Sequence, residues 1–345
     1  MKVYNHEIGE GKPTYIIAEM SANHAGSIER AKEIIYAAKE AGADCIKIQT
    51  YTADTLTIDC DNAYFHIDNG TWKGENLYHL YERAYTPWEW QPELKKEAEK
   101  IGIDFLSTPF DKTAVDFLEK MDIQFYKIAS FELVDIPLIK YVASKGKPII
   151  ISTGMGNEDE ILEAVETIRH YHNNIVLLKC SSAYPAVTSE MNLVTMVDMK
   201  KRFGTQVGLS DHSMGSLGAV TAVTLGAKVI EKHFCIDRTI QNPDSSFSME
   251  PAEFKRMVED IRAVEDAIGS VTYGPQEQEL SNLTFRKSIF VVKDVKAGEY
   301  FTEENIRVIR PGQGLKPKYY EQVLGKKAAT DVLLGTPLKK EMIVG

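Results

Sequence analysis

Charged and hydroxyl residues stand inside or just past short apolar runs along this chain: Glu19 closes Tyr15-Ile16-Ile17-Ala18, and Lys47 and Gln49 alternate with Ile46 and Ile48. Thr108, Lys127 with Ser130, Ser152, Ser182 and Ser210 occupy matching places in later runs. A lysine in such a run needs a partner if it is buried. Taken alone, each lysine could salt-bridge to a neighbouring strand or point outward between helices. Taken together, Lys47 and Lys127 with Ser130, Ser152 and Ser210 make a cradle for a phosphate or carboxylate, for which lysine's compact charge is suited.

Two imidazoles suggest a second chemistry. His212 and His233 end two successive apolar runs, which would bring them to one rim of a sheet or barrel. Two such ligands suit a catalytic divalent cation that keeps room for substrate and water, although the pattern does not name the metal. The period of two along a strand puts Glu231 beside His233 and sends Lys232 to the opposite face, so Glu231 can reach the metal or the substrate.

The elements that must position these groups follow from hydrophobic period. Short apolar runs at 14–20, 45–51, 104–110, 125–130, 148–154, 174–181, 206–212 and 229–234 alternate with amphipathic stretches. One of these is 27–41, with Ile28, Ala31, Ile34, Ile35 and Ala38 on one face and Gly42 just past its end. Strand then helix, eight times, predicts an α/β chain forming a (β/α)8 TIM barrel over residues 1–270, with catalytic groups at the carboxyl ends of the strands. A doubly wound sheet would carry a glycine-rich turn after its first strand, where this chain reads Glu19-Met20-Ser21-Ala22-Asn23-His24. Residues 271–285 read as a polar linker, and 286–345 as a small β-rich domain. The stretch 52–75 is long for a strand-to-helix loop and reads as a lid or a passive insertion.

Composition excludes several classes. Of 345 residues, 43% are hydrophobic and 26% charged, and the net charge of -10 argues against a nucleic-acid surface. No apolar stretch approaches the roughly 18 residues needed to span a bilayer, so no membrane partner and a cytoplasmic location are expected. Cys45, Cys60, Cys180 and Cys235 show no zinc spacing and read as isolated reduced thiols without chemistry.

The motifs Ala18-Glu19-Met20-Ser21-Ala22-Asn23-His24-Ala25-Gly26, Ile46-Lys47-Ile48-Gln49-Thr50, Tyr126-Lys127-Ile128-Ala129-Ser130, Gly208-Leu209-Ser210-Asp211-His212-Ser213 and Ile230-Glu231-Lys232-His233-Phe234 closely resemble the sialic acid synthase family. The resemblance runs the full length, because that family carries a carboxyl-terminal antifreeze-like (SAF) domain that matches 286–345. Its members condense phosphoenolpyruvate with an N-acetylated amino sugar, releasing phosphate and forming a nine-carbon 2-keto acid.

Carried onto this chain, the resemblance implies Mn2+, with Mg2+ or Co2+ as alternatives, on His212 and His233. The ion would polarise the sugar aldehyde for attack by C3 of phosphoenolpyruvate. Lys47, Thr108, Lys127, Ser130, Ser152, Ser182 and Ser210 would hold phosphoenolpyruvate, with Gln49 among the substrate contacts. Glu19, and after it Glu231, would handle the proton or orient the water that attacks C2. Arg310, before Pro311-Gly312, occupies the place of an arginine that reaches a sugar in the neighbouring subunit, which implies a domain-swapped homodimer.

Of the family's branches, which make sialic, legionaminic and pseudaminic acids, this chain looks most like the last, through Leu80-Tyr81-Glu82, Thr86-Pro87-Trp88-Glu89-Trp90, Leu178 to Pro185 and Gly314 to Tyr320. It has Ser182 and Lys179 where sialic acid synthases commonly have asparagine and histidine. The acceptor implied is an acetamido deoxy sugar, 2,4-diacetamido-2,4,6-trideoxy-L-altrose, which suits apolar neighbours such as Tyr184 and Phe247. Asp244 either accepts a sugar hydrogen bond or is a turn residue.

Overall fold

The computed structural model describes residues 1–344; the chain divides into two compact units, Met1–Gly269 and one that begins at Ser270. In the first, eight parallel strands form a nearly closed barrel: β1 (Tyr15–Glu19), β2 (Cys45–Thr50), β3 (Asp104–Pro109), β4 (Tyr126–Ile128), β5 (Ile149–Ser152), β6 (Ile175–Cys180), β7 (Gln206–Asp211) and β8 (Val229–His233). Hydrogen-bonded order runs β3-β2-β1-β8-β7-β6-β5-β4, and β3 and β4 lie side by side without a shared ladder. The family resemblance and the strand-helix alternation therefore agree on the fold.

Eight helices follow the strands in turn: α1 (Ile28–Glu40), α2 (Gln91–Ile101), α3 (Lys112–Lys120), α4 (Ile136–Ala143), α5 (Glu158–Arg169), α6 (Thr195–Phe203), α7 (Leu217–Thr224) and α8 (Pro251–Ile268). Helix α1 starts where the Ser27 hydroxyl accepts the Arg30 N–H at 3.3 Å, and it buries Ala31, Ile34, Ile35 and Ala38. It stops at Gly42, whose φ of +91° favours glycine and whose Cα lies close enough to α8 that a Cβ would meet Val258 at 3.0 Å. Helix α5 starts with a reciprocal cap, Asn157 Oδ1 accepting the Glu160 N–H at 3.0 Å and Glu160 accepting the Asn157 N–H at 2.8 Å.

Alternation divides the strand residues between two cores. Ile16, Ile46, Phe105, Tyr126, Ile151, Leu177, Leu209 and Ile230 face the helices. Tyr15, Ile17, Cys45, Leu106, Phe125, Ile150, Val176, Leu178 and Val229 fill the lower barrel together with Val3 and Ile8. Val3 and Ile8 belong to the amino-terminal segment, where a hairpin pairs Lys2 with Glu7 and Val3 with His6. The interior of the barrel is thus packed from below, and the next inward residues up each strand are the polar ones.

The second unit has its own small core, formed by Ile289, Val291, Val295, Phe301, Ile306, Val323, Ala328, Val332 and Leu338. Its antiparallel pair is β9 (Ser288–Val291) with β10 (Ile306–Ile309). A 3-10 helix, Glu277–Phe285, lies inside the stretch expected to be a linker. Among the described residues, no helix is long and apolar enough to cross a membrane.

Candidate active site

A polar layer stands on the apolar floor of the barrel. Glu19, Lys47, Lys127, His212, Glu231 and His233 are each exposed by 8% or less, so their charges must be balanced within the layer. Strand register brings them together: Glu19 lies beside Lys47 on one side and His233 on the other, and Glu231 lies beside Ser210. Lys47 pairs with Glu19 and lies 3.6 Å from Glu231 Oε1; Lys127 lies at the same 3.6 Å from that oxygen. Ser210 donates to Glu231 Oε1 at 3.3 Å, Lys47 to Thr108 at 3.3 Å, and Gln49 to Glu19 Oε1 at 3.3 Å.

The four central charges do not titrate alike. Burial pushes Glu19 up to about 7, against the pull of Lys47 and with Glu231 adding repulsion. Burial also acts on Glu231, but Lys127, Lys47 and His212 outweigh it and hold that carboxyl below its ordinary range. For Lys47 the two carboxylates outweigh burial and keep it charged, whereas burial and Lys47 together lower Lys127 despite Glu231. A carboxyl that readily takes a proton beside two buried lysines is a setting that suits an anion.

Hydroxyls complete the anion's surroundings. Ser152 Oγ is buried with no hydrogen-bond partner, and the Ser130 hydroxyl accepts the Gly154 N–H at 3.1 Å. At Gly154 a Cβ would lie 2.1 Å from Ser182 Oγ and 2.7 Å from Ser130 Oγ. Both serines therefore pack directly on the Gly154 backbone, which follows β5, the strand paired with the Lys127 strand β4.

On the rim, the rings of His212 and His233 are 5.3 Å apart. His212 Nδ1 lies 3.1 Å from the Ser181 carbonyl oxygen, a contact that fixes the ring and leaves Nε2 for another partner. His233 Nδ1 is buried without a hydrogen-bond partner. Burial, His212 and the lysines hold His233 well below the ordinary imidazole range, so it is neutral at neutral pH and its lone pair is available. Tyr184 and Phe247 wall this pair: Tyr184 is 4.3 Å from His212 and Phe247 is 5.0 Å from His233, ring to ring.

Three further side chains complete the surroundings of the site. Lys232 turns outward and is spent on Asp211 at 2.7 Å and the Ser213 carbonyl at 2.6 Å, holding the turn after His212. Asp244 Oδ2 accepts the Ala22 N–H at 3.0 Å, next to Ser21 at φ +45°, so it pins a left-handed turn after β1. Cys180, given no chemistry from its spacing, lies in the site: Sγ is 3.7 Å from His212 Nδ1 and 3.6 Å from Ser182 Oγ. Burial would raise its thiol, but His212, Ser130 and Ser182 outweigh that and bring it down to about 7. Inward alternation on β6 was the signal that could have placed it. Arg310, exposed at a turn after β10, belongs to the second unit.

A cleft of about 700 Å³ opens at the opposite, amino-terminal end of the strands, lined by residues such as Lys2, His6, Asp44 and Arg262. Arg262 there is already paired with Asp44 and Glu265, and His6 Nδ1 lies 2.9 Å from Asp104. The converging polar groups are at the carboxyl ends, where barrel chemistry resides.

Comparison with known proteins gives this arrangement a context. Residues 34–273 match the NeuB family and residues 286–344 the SAF domain. The chain is 47% identical to a pseudaminic acid synthase of Campylobacter jejuni over 95% of this chain and 96% of that one. It is 44% identical to a pseudaminic acid synthase of Helicobacter pylori over 96% and 98%. The crystal structure of an N-acetylneuraminic acid synthetase from Leptospira borgpetersenii, solved with citrate, superposes with a TM-score of 0.73 at 30% identity, covering 82% of this chain and 94% of that one.

Proposed function

The chain belongs to the NeuB family, and from that premise we propose that it condenses phosphoenolpyruvate with 2,4-diacetamido-2,4,6-trideoxy-L-altrose and water, giving pseudaminic acid and phosphate. The observation that carries the chemistry is the juxtaposition of two buried lysines, a cluster of hydroxyls and two imidazoles at one barrel mouth. The choice of sugar rests on the higher identity to the two pseudaminic acid synthases than to the sialic acid synthetase.

In this reading Lys47 and Lys127 take the phosphate and carboxylate charges of phosphoenolpyruvate, and Ser130, Ser152, Ser182, Ser210 and Thr108 donate to its oxygens. C3 of the enol forms a bond to C1 of the open-chain sugar, whose aldehyde oxygen takes a proton. Water adds at C2, and the bond from C2 to the phosphate oxygen breaks, leaving the 2-keto acid and inorganic phosphate. Glu19, pushed up to about 7, exchanges a proton near neutrality and stands where it can act on the water or on the new hydroxyl. Glu231, held ionised, keeps both lysines oriented.

His212 and His233 fit a divalent ion, for which Mn2+ is our choice, because one has its Nδ1 committed to a carbonyl and the other is neutral with an unpartnered nitrogen. Among the described residues no third His, Cys, Asp or Glu joins them, so substrate and water would complete the shell. Such an ion would supply electrophilic polarisation of the sugar aldehyde.

The proposal extends to a homodimer in which Arg310 of one chain reaches the sugar held by its partner. Its support is the family's arrangement together with the exposure of Arg310 in its own unit. Mixing inactive Arg310→Ala with inactive His233→Ala chains should restore about a quarter of wild-type activity through dimers that carry one intact site; no recovery in dimers shown to have exchanged chains would remove Arg310 from the partner's site.

The substrate is tested by phosphate release from phosphoenolpyruvate with Mn2+, comparing the altrose sugar with N-acetylmannosamine and 2,4-diacetamido-6-deoxymannose. Release with the altrose sugar alone is expected. Release only with another sugar keeps the chemistry and moves the acceptor.

A further inference from the structure

The long connection from β2 to α2 crosses the barrel mouth. It leaves β2 at Tyr51, carries short helices at Ala53–Leu56 and Leu77–Ala84, and in between sends Thr71 and Trp72 to the far side of the barrel. There Thr71 donates to the Tyr184 carbonyl, and Trp72 Nε1 donates to the Pro243 carbonyl at 2.9 Å. These anchors follow β6 and β8, whereas the strap itself comes from β2.

The indole thereby becomes the outer wall of an aromatic enclosure. Its ring lies 5.4 Å from Tyr184 and 6.4 Å from Phe247, and those two rings are 5.1 Å apart. Tyr184 and Phe247 in turn touch the two imidazoles, so Trp72 stands two ring contacts away from His212. An acceptor whose reacting C1 lies at the histidines points its distal carbons and acetamido groups along this wall. Such an acceptor has apolar methyl groups at the 6-position and on its amides, and the wall offers ring faces to them. The indole N–H is already used on Pro243, which leaves its ring for apolar contact.

We propose that Trp72 is a specificity-determining residue that closes the acceptor subsite and selects for a sugar with a methyl group in place of a 6-hydroxymethyl. This rests on the reading of the site as one for an acetamido sugar. A hydroxyl placed against the indole has no partner there and loses its water, whereas a methyl group loses nothing.

The test compares wild type, Trp72→Ala and Trp72→Phe in phosphate release with the 6-deoxy acceptor and its 6-hydroxy counterpart. Trp72→Ala should raise KM for the 6-deoxy acceptor about tenfold to a hundredfold and shrink the preference between the two sugars by a similar factor. Its KM for phosphoenolpyruvate should change less than about threefold, and Trp72→Phe should recover most of the preference. An equal fall with both sugars, or a change confined to phosphoenolpyruvate, would overturn the assignment. An unfolding midpoint matching wild type shows that the variants are intact, and wild type itself inactive with every acetamido sugar would instead sink the reading of the site.

Discussion

Replacing Lys127 by Met should weaken phosphoenolpyruvate binding without weakening the fold. The side chain is fully buried, 3.6 Å from Glu231 Oε1, and burial together with Lys47 lowers its proton affinity below that of a lysine in water despite the carboxylate. The sign follows from linkage: a lysine whose folded value is depressed is destabilising in its charged form at neutral pH, and that penalty disappears only as pH rises through the folded value. Met keeps the apolar stem and deletes the charge. Glu231 keeps Lys47 at 3.6 Å and Ser210 at 3.3 Å, so it is not stranded. The unfolding free energy in urea should stay level or rise by up to about 2 kcal/mol. Binding should suffer, because a hydrogen bond to a charged group contributes about 1.5 to 3 kcal/mol, a loss of roughly tenfold to 150-fold in affinity. Calorimetric titration of phosphoenolpyruvate and urea unfolding of the same variant read both quantities. A variant that loses more than about 3 kcal/mol of stability while keeping wild-type affinity would make Lys127 a structural ion-pair partner instead.

Further outcomes follow from the same geometry. Gly154→Ala places a methyl group against Ser182 Oγ, Ser130 Oγ and Ser130 Cβ, so both serines must shift: KM for phosphoenolpyruvate should rise about tenfold and stability should fall by about 1 to 3 kcal/mol; steady-state kinetics and thermal unfolding check both. His24 is buried, with Nδ1 accepting the Gly26 N–H at 3.1 Å, and burial lowers it from 6.5 to about 4. Its neutral form is therefore the folded one, and stability is lost as pH falls from about 6.5 toward 4, by about 3 kcal/mol in all at most. Urea unfolding at pH 7 and pH 5 should show a flatter dependence in His24→Asn, and equal slopes would exclude His24. His233→Ala should lower turnover about a hundredfold or more while the dissociation constant for phosphoenolpyruvate stays within about threefold, and chelation of wild type should reproduce that split.

Much of the layer was readable because strands alternate. Once β2, β4, β5, β7 and β8 are placed, period two sends Lys47, Lys127, Ser152, Ser210, Glu231 and His233 inward and Lys232 outward, as the structure has them. Alternation fails where strands end. Trp72 reaches the wall by a strap from β2 to the loops after β6 and β8, a trajectory fixed by two carbonyl contacts over 100 residues away in sequence. Asp244 could equally have been a turn residue or a sugar ligand, and only the fold shows it holding Ala22 beside a left-handed Ser21. Cys180 escapes a reading by spacing because a lone thiol has none, although its inward position on β6 follows from that of Leu178.

If these groups join phosphoenolpyruvate to an acetamido sugar, condensed product and phosphate must appear together. Metal-stripped protein, given Mn2+, phosphoenolpyruvate and 2,4-diacetamido-2,4,6-trideoxy-L-altrose, should be followed by mass spectrometry and phosphate release together. A nine-carbon 2-keto acid should form in one-to-one ratio with phosphate, and neither product should form without the sugar. Phosphate released without a condensed product, or no product with any acetamido sugar, would contradict it.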